Sequence, residues 1–513
     1  MLSVAWLQSW SRRGVRLPEF GYKVFPRFVT GCSLGFALMV AGCGETPRPV
    51  VTPVAVTGPA PQPQSYAVVT TTAGPSLPGL ANVFDASGDT LLTQASLGVN
   101  PLAVTLSSTA GIAINSNSDG TVTSYTPSTT LQTKNIQSST LLQPARPINL
   151  LVTATNLFIT EPNVPPNPPA VAVLTNNSSG VYQLTQQLPV PASPINVAGN
   201  SNAARVYSIT QDNGGNTVAF GDCETPTKVT TPGQVQSIEI STVTISRTLP
   251  VGICPVYGIS SSDNNRTFIL NRGSGTVTVI NSQYNALDTT ANRPNLDSTT
   301  GTLLLPPPTG TPVAGFNAGP VFADYYAPAS QLVTANYDSN TISIVNVSLD
   351  QFGNDSALFG QTVTVPVGNG PATLTILRDG SRVYVANQKD STISVVSLTN
   401  YQVLATIPVT GHPISIASTF STPFGQVYVI PSDQAYLTVI RTDTDQVAAS
   451  VQLDGTGVDV HTSAQSVAAN SGTTGSVANA INVSHASGSG SPCGFGAPCY
   501  AATPLAAATA RAK

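Results

Sequence analysis

Charge is scarce in this chain: only 9% of its 513 residues are charged. Its 20 basic residues, set against 24 acidic ones, form no basic block after residue 30. The electrostatic footprint needed to hold a phosphate backbone is missing, which excludes nucleic acid as an expected partner. Histidine is scarcer still. His412 stands in a turn before Pro413, His461 on an expected closing strand and His485 in a low-complexity tail, so no Ser-His-Asp set can be built from them. The chain has no His-x-x-x-His, no Cys-x-x-Cys-His and no dense Asp/Asn loop, so no metal site, no cofactor site and no catalytic residue is expected. Asn213-Gly214-Gly215-Asn216 does not open a helix after a strand, which removes a nucleotide-binding reading.

What the chain has in plenty is punctuation. Its 42 Gly and 42 Pro, with abundant Thr, Ser, Val and Asn, suit short strands joined by tight turns and predict an all-β protein. At the N-terminus, Lys23 and Arg27 precede an apolar run from Phe28 to Ala41, too short to span a bilayer but suited to a signal h-region. That run ends in Leu38-Met39-Val40-Ala41-Gly42-Cys43, which resembles the bacterial lipobox. The resemblance implies that residues 1–42 are a lipoprotein signal peptide and that Cys43 is acylated, tethering the protein to a membrane of the cell envelope. Residues 43–65, with Pro47, Pro49, Pro53, Pro59, Pro61 and Pro63, read as an extended, disordered spacer.

Removing Cys32 with the signal and Cys43 to the lipid leaves Cys223, Cys254, Cys493 and Cys499, an even number that suggests two disulfides in an oxidising compartment. Cys493 and Cys499 would close a small loop, and Cys223 and Cys254 would pin a long insertion. A zinc site fits less well, because neither pair is a Cys-x-x-Cys and no histidine sits beside either.

Internal periodicity decides the fold. Gly370–Leu374, Arg382–Asn387, Thr392–Val396 and Gln402–Val409 are four short apolar or alternating runs bounded by turn residues, and His412–Ile416, Gln426–Val429, Leu437–Ile440 and Gln446–Val451 repeat them. Tyr384 and Tyr428 are 44 positions apart, as are Val395 and Val439. Four strands at a period of 40 to 50 residues are the mark of a propeller blade. Looser units begin at Pro320, Pro255, Pro194, Pro147 and Pro101, making seven.

Arg382-Val383-Tyr384-Val385-Ala386-Asn387 followed by Thr392-Ile393-Ser394-Val395-Val396 resembles the YVTN family of β-propeller repeats, similar to surface-layer-type and YncE-like proteins. The match is clearest over 252–455, and it departs from the family's Asp after the third strand, where Ser397 and Asn281 stand. The resemblance implies one propeller over residues 66–463. Seven blades is the family habit. Eight is allowed, because Tyr66–Thr70, Leu80–Phe84 and Thr90–Thr93 form a three-stranded unit that Val458–His461 could complete. Residues 464–513, rich in Ala, Gly and Ser, read as a disordered tail.

The turn residues Asp338, Asn340, Asp379 and Asp390 read as backbone-bonding Asp and Asn, and Tyr325 and Tyr326 as packing between blades. The inserted loops Asn213–Pro232 and Leu287–Thr311 are the expected recognition elements. Together these features predict a lipid-anchored, non-enzymatic binding scaffold for a protein or glycan. The rival is a lactonase-like hydrolase on the same plan, which requires polar titratable groups meeting at one end of the channel.

Overall fold

The computed structural model describes residues 66–463 apart from 87, 108–111, 128–133, 178–180, 201, 213–221, 225–228, 311–314 and 420–424. The signal peptide, Cys43, the spacer, the tail with Cys493 and Cys499, and most of the 213–232 loop lie outside the described residues.

Eight antiparallel sheets, each built on four strands, form the ring. Blade 1 takes its innermost strand, Thr456–Thr462, from the far end of the chain and its other three, Tyr66–Thr72, Pro78–Asp85 and Thr90–Val99, from the near end. Blades 2 to 8 each run from the inside outwards in chain order, starting with Pro101–Ser107, Asn149–Val152, Pro194–Ala198, Pro255–Ser260, Pro320–Tyr326, Pro371–Ile376 and Pro413–Ser418. Six of these seven begin at proline, whose missing N–H is tolerated at the first residue of a strand. We call that end the proline face and the opposite end the distal face.

Of the two counts the repeat allows, the ring takes eight. The reason is packing on both sides of blade 1: Ala67, Val69 and Phe84 share a core with Tyr428 and Ile430 of blade 8, while Val68, Ala81 and Val83 share one with Val104 and Ala113 of blade 2. Thr456–Thr462 pairs with Tyr66–Thr72, so no open blade edge remains at the seam. Such inter-blade cores run right round the ring. Because each inner and middle strand is covered on both faces, strands such as Gln426–Pro431 are buried throughout, whereas the outer strand Gln446–Gln452 is largely exposed.

The repeat motif has a mechanical meaning in this frame. Asn387, the last residue of its strand, donates from Nδ2 to Thr392 Oγ1 at 3.0 Å and Ser394 Oγ at 2.8 Å, fastening the turn into the third strand. Asn117, Asn271 and Asn336 make the same pair of bonds in blades 2, 5 and 6. The motif's other end grips the next blade. Arg382 and Tyr384 both bond Asp445 in the outer hairpin of blade 8, and Gln426 and Tyr428 both bond Asp89 in that of blade 1.

Candidate functional site

The residue after each fastening Asn is carried to the turn between the second and third strands on the proline face, and we call this end of the ring its mouth. In blades 5, 6 and 7 those residues are Arg272, Tyr337 and Gln388, and with their neighbours they form one array. Arg272, its side chain 3% exposed, forks onto Asp338 with Nε–Oδ2 at 2.9 Å and Nη2–Oδ1 at 2.7 Å, and its Nη1 donates to the Cys223 carbonyl at 3.2 Å. The planar guanidinium matches the carboxylate bidentately, which fixes orientation as well as charge. Its carbon also lies 5.2 Å from the centre of the Tyr337 ring, and Lys389 Nζ lies 4.3 Å from the same centre. Two cations on one ring form a cation–π arrangement. Burial raises the Tyr337 hydroxyl's pKa, with Arg272 opposing the shift. That hydroxyl donates to Gln388 Oε1 at 2.9 Å, the Gln388 carbonyl accepts from His412 Nδ1 at 2.9 Å, and the His412 amide donates to Asp433 at 2.7 Å.

The disulfide Cys223–Cys254 joins the blade 4 insertion to the first turn of blade 5, which sets the carbonyl that Arg272 uses. Beside the array an open groove of about 640 Å³ is lined by Pro308, Phe316 and Val367 together with Asp338, Ser339 and Asn340.

Several expected residues fall elsewhere or into other roles. Asp379 accepts from the Ser381 amide at 2.9 Å and shapes its own turn, whereas Asp390 accepts from the Asn369 amide at 2.6 Å and Asn340 from the Gly370 amide at 2.9 Å, so these two hold the connection between blades 6 and 7 instead. Asp338 instead serves Arg272. Tyr325 is buried in the inter-blade core and Tyr326 packs against it. His412 reaches the mouth, while His461 is buried on the closing strand beside Asp459, with Nε2–Oδ2 at 3.4 Å. Asp459 in turn accepts from Ser415 Oγ at 2.8 Å and from the Val104 amide at 3.3 Å. The carboxylate stands between the hydroxyl and the imidazole, and all three are buried. This order fastens blades 8, 1 and 2 and is not the Ser-to-His order of a nucleophilic triad.

The strongly shifted carboxyls lie outside the array, two of them in blade 6 itself. Burial pushes Asp324, bonded to the amides of Tyr325 and Ile376, up to about 7. Burial, reinforced by the Asp288 charge, raises Asp355 to about 6 against the pull of Arg266, which is held between Asp288 and Asp355 at 2.7 Å from each. Among the described residues, no group of three or more His, Cys, Asp or Glu is placed to hold a metal ion.

Arg272, Tyr337 and Lys389 were not singled out from the sequence. The available signal was their register: each directly follows, or lies two after, the Asn that closes the second strand.

No family model matches the chain and no curated protein sequence does. Solved structures match it over most of its length. AztD from Citrobacter koseri is similar with a TM-score of 0.52 and 10% identity, covering 78% of this chain and 97% of its own. The dihydro-heme d1 dehydrogenase NirN is similar with a TM-score of 0.52 and 11% identity, covering 81% of this chain and 79% of its own. A Bacteroides fragilis protein provisionally assigned as a 6-phosphogluconolactonase is similar with a TM-score of 0.50 and 12% identity, covering 79% of this chain and 99% of its own. The likeness is one of fold, a bacterial β-propeller.

Proposed function

We propose that this protein is an exported, lipid-anchored propeller of YVTN-type repeats that binds a protein or glycan partner at the proline-face mouth without transforming it. The observation that carries the reading is the preformed Arg272–Tyr337–Lys389 stack beside an open groove. Arg272 and Asp338 spend their charges on each other, and the Tyr337 hydroxyl and His412 ring are engaged by Gln388, so the array is rigid before any ligand arrives. Rigid recognition groups lose little entropy on binding. Tyr66 and Ser463 stand at the distal face, so a tether at Cys43 leaves the mouth open to a partner.

The test is site-specific photo-cross-linking from position 316, in the groove, in cells that make the full chain. A discrete adduct from position 316 that Lys389→Glu weakens supports the reading, and its absence counts against it. Loss of labelled fatty acid from the Cys43→Ala variant tests the tether separately.

A hydrolase reading is favoured by one observation, the meeting of Arg272, Tyr337, Asp338, Lys389 and His412 at one mouth. Lactone hydrolysis by the purified chain that Asp338→Asn and His412→Gln each abolish would replace the binding reading with it.

A further inference from the structure

The distal face carries two aromatic side chains and a leucine held out in water on constrained turns. Tyr284 is 73% exposed, Phe352 78% and Leu358 54%. Tyr284 sits in the outer hairpin of blade 5, where Asn281 Oδ1 accepts the amides of Gln283 and Tyr284. Phe352 and Leu358 belong to the corresponding, longer connection of blade 6. There Asp350 Oδ1 accepts the amides of Phe352 and Asn354, and Ser356 Oγ accepts that of Leu358. The two connections are neighbours: the Gly353 carbonyl accepts from the buried Arg266 of blade 5 at 3.4 Å, and a Cβ added to Gly353 would meet the Gln283 side chain at 3.8 Å. The rings therefore flank one contact and are braced from beneath.

Holding large apolar surface in water on ordered turns is unfavourable unless something covers it. The chain's course says what that is. Tyr66 pairs with Asp85 at the base of the outer hairpin of blade 1, and Ser463 bonds Tyr66 there, so both ends of the ring leave from the face that bears Tyr284, Phe352 and Leu358. Blade 5 stands across the eight-bladed ring from blade 1.

We infer that the distal face docks on a lipid bilayer, with Phe352, Tyr284 and Leu358 entering the headgroup–acyl boundary as a second contact opposite the tether. Aromatic rings suit that boundary because one edge accepts an apolar surrounding and the other a wet one. The spacer keeps the ring close to the membrane, and the apolar contact on the distal face turns the proline-face mouth away from it. The inference rests on the tether reading for what holds this face against the membrane.

The test uses residues 61–463, which contain every strand of the closed ring and its disulfide, coupled through an added N-terminal cysteine to phosphatidylcholine vesicles doped with a maleimide lipid. The chain's tryptophans are Trp6 and Trp10, so this stretch has none and Phe352→Trp supplies a single reporter. On vesicles its emission should shift to the blue and be quenched by brominated lipid. Gln434→Trp, on an exposed proline-face turn, should stay water-like. Without coupling, Tyr284→Ser with Phe352→Ser should lower vesicle partitioning by about ten-fold or more, as expected for two rings removed from the boundary. Water-like emission from the Phe352→Trp variant on coupled vesicles overturns the inference, as does equal quenching at both positions. Should Phe352→Trp disturb the turn, Tyr284→Trp reports from the neighbouring hairpin. Fatty-acid labelling of Cys43 in the full chain is read independently, so failure of the tether and failure of the docking face are told apart.

Discussion

Glu161 occupies the position that Asn fills in blades 2, 5, 6 and 7, and its surroundings have changed with it. Ala170 and Ala172 stand where those blades supply two hydroxyls, so among the described residues the carboxyl receives Gln187 Nε2, at 2.7 Å, and its Oε1 finds no partner. Burial raises its pKa from 4.5 to about 7, with the Gln187 bond opposing the shift. A carboxyl that holds its proton more tightly when folded contributes stability below about pH 4.5 and loses it as pH rises to about 7. Glu161→Gln should therefore flatten the stability profile in that window and be the more stable protein at pH 8, by up to about 3 kcal/mol. Urea unfolding of both proteins across pH 4 to 8 reads this directly, and parallel profiles would contradict it. None of it was legible in the sequence, where Glu161 follows a strand like any surface residue. The register against Ala170 and the depth of the site come from the third dimension.

The strands and their turns were the most legible level, because each unit repeats the same apolar spacing. Arg382-Val383-Tyr384-Val385-Ala386-Asn387 could be read as a strand, and as a motif, from the chain alone. Its division of labour could not, since the Arg and Tyr act on the next blade and the Asn on its own. Asn387→Ala strands two hydroxyls inside the turn and should cost about 1–3 kcal/mol, measurable as a lower urea midpoint. Asn→Ala at 117, 271 and 336 should cost similar amounts, because the bonds are the same.

At the scale of the whole molecule the ring is held by closure. The seam depends on a strand 384 residues further along the chain, Thr456 pairing with Thr72, and the mouth depends on a covalent strap. The Cys223–Cys254 bridge spans 31 positions and should add about 3–4 kcal/mol through loop closure. Reduction, or Cys223→Ser with Cys254→Ser, should lower the melting temperature. It should also loosen Arg272, seen as faster hydrogen exchange over residues 222–224 and 266–273.

The sequence by itself determined the all-β class, the four-strand period and the blade boundaries after Pro101. These are local or periodic properties, set by the spacing of apolar and turn residues along one strand or one unit. Only the tertiary structure decided that the ring has eight blades and that Arg272, Tyr337, Asp338, Lys389 and His412 share a mouth. It also decided that both chain ends leave from the face that bears Tyr284 and Phe352. Those facts depend on contacts between residues tens to hundreds of positions apart, and a repeat that looks the same in every unit carries no mark of how many units close the circle or which turns then face each other.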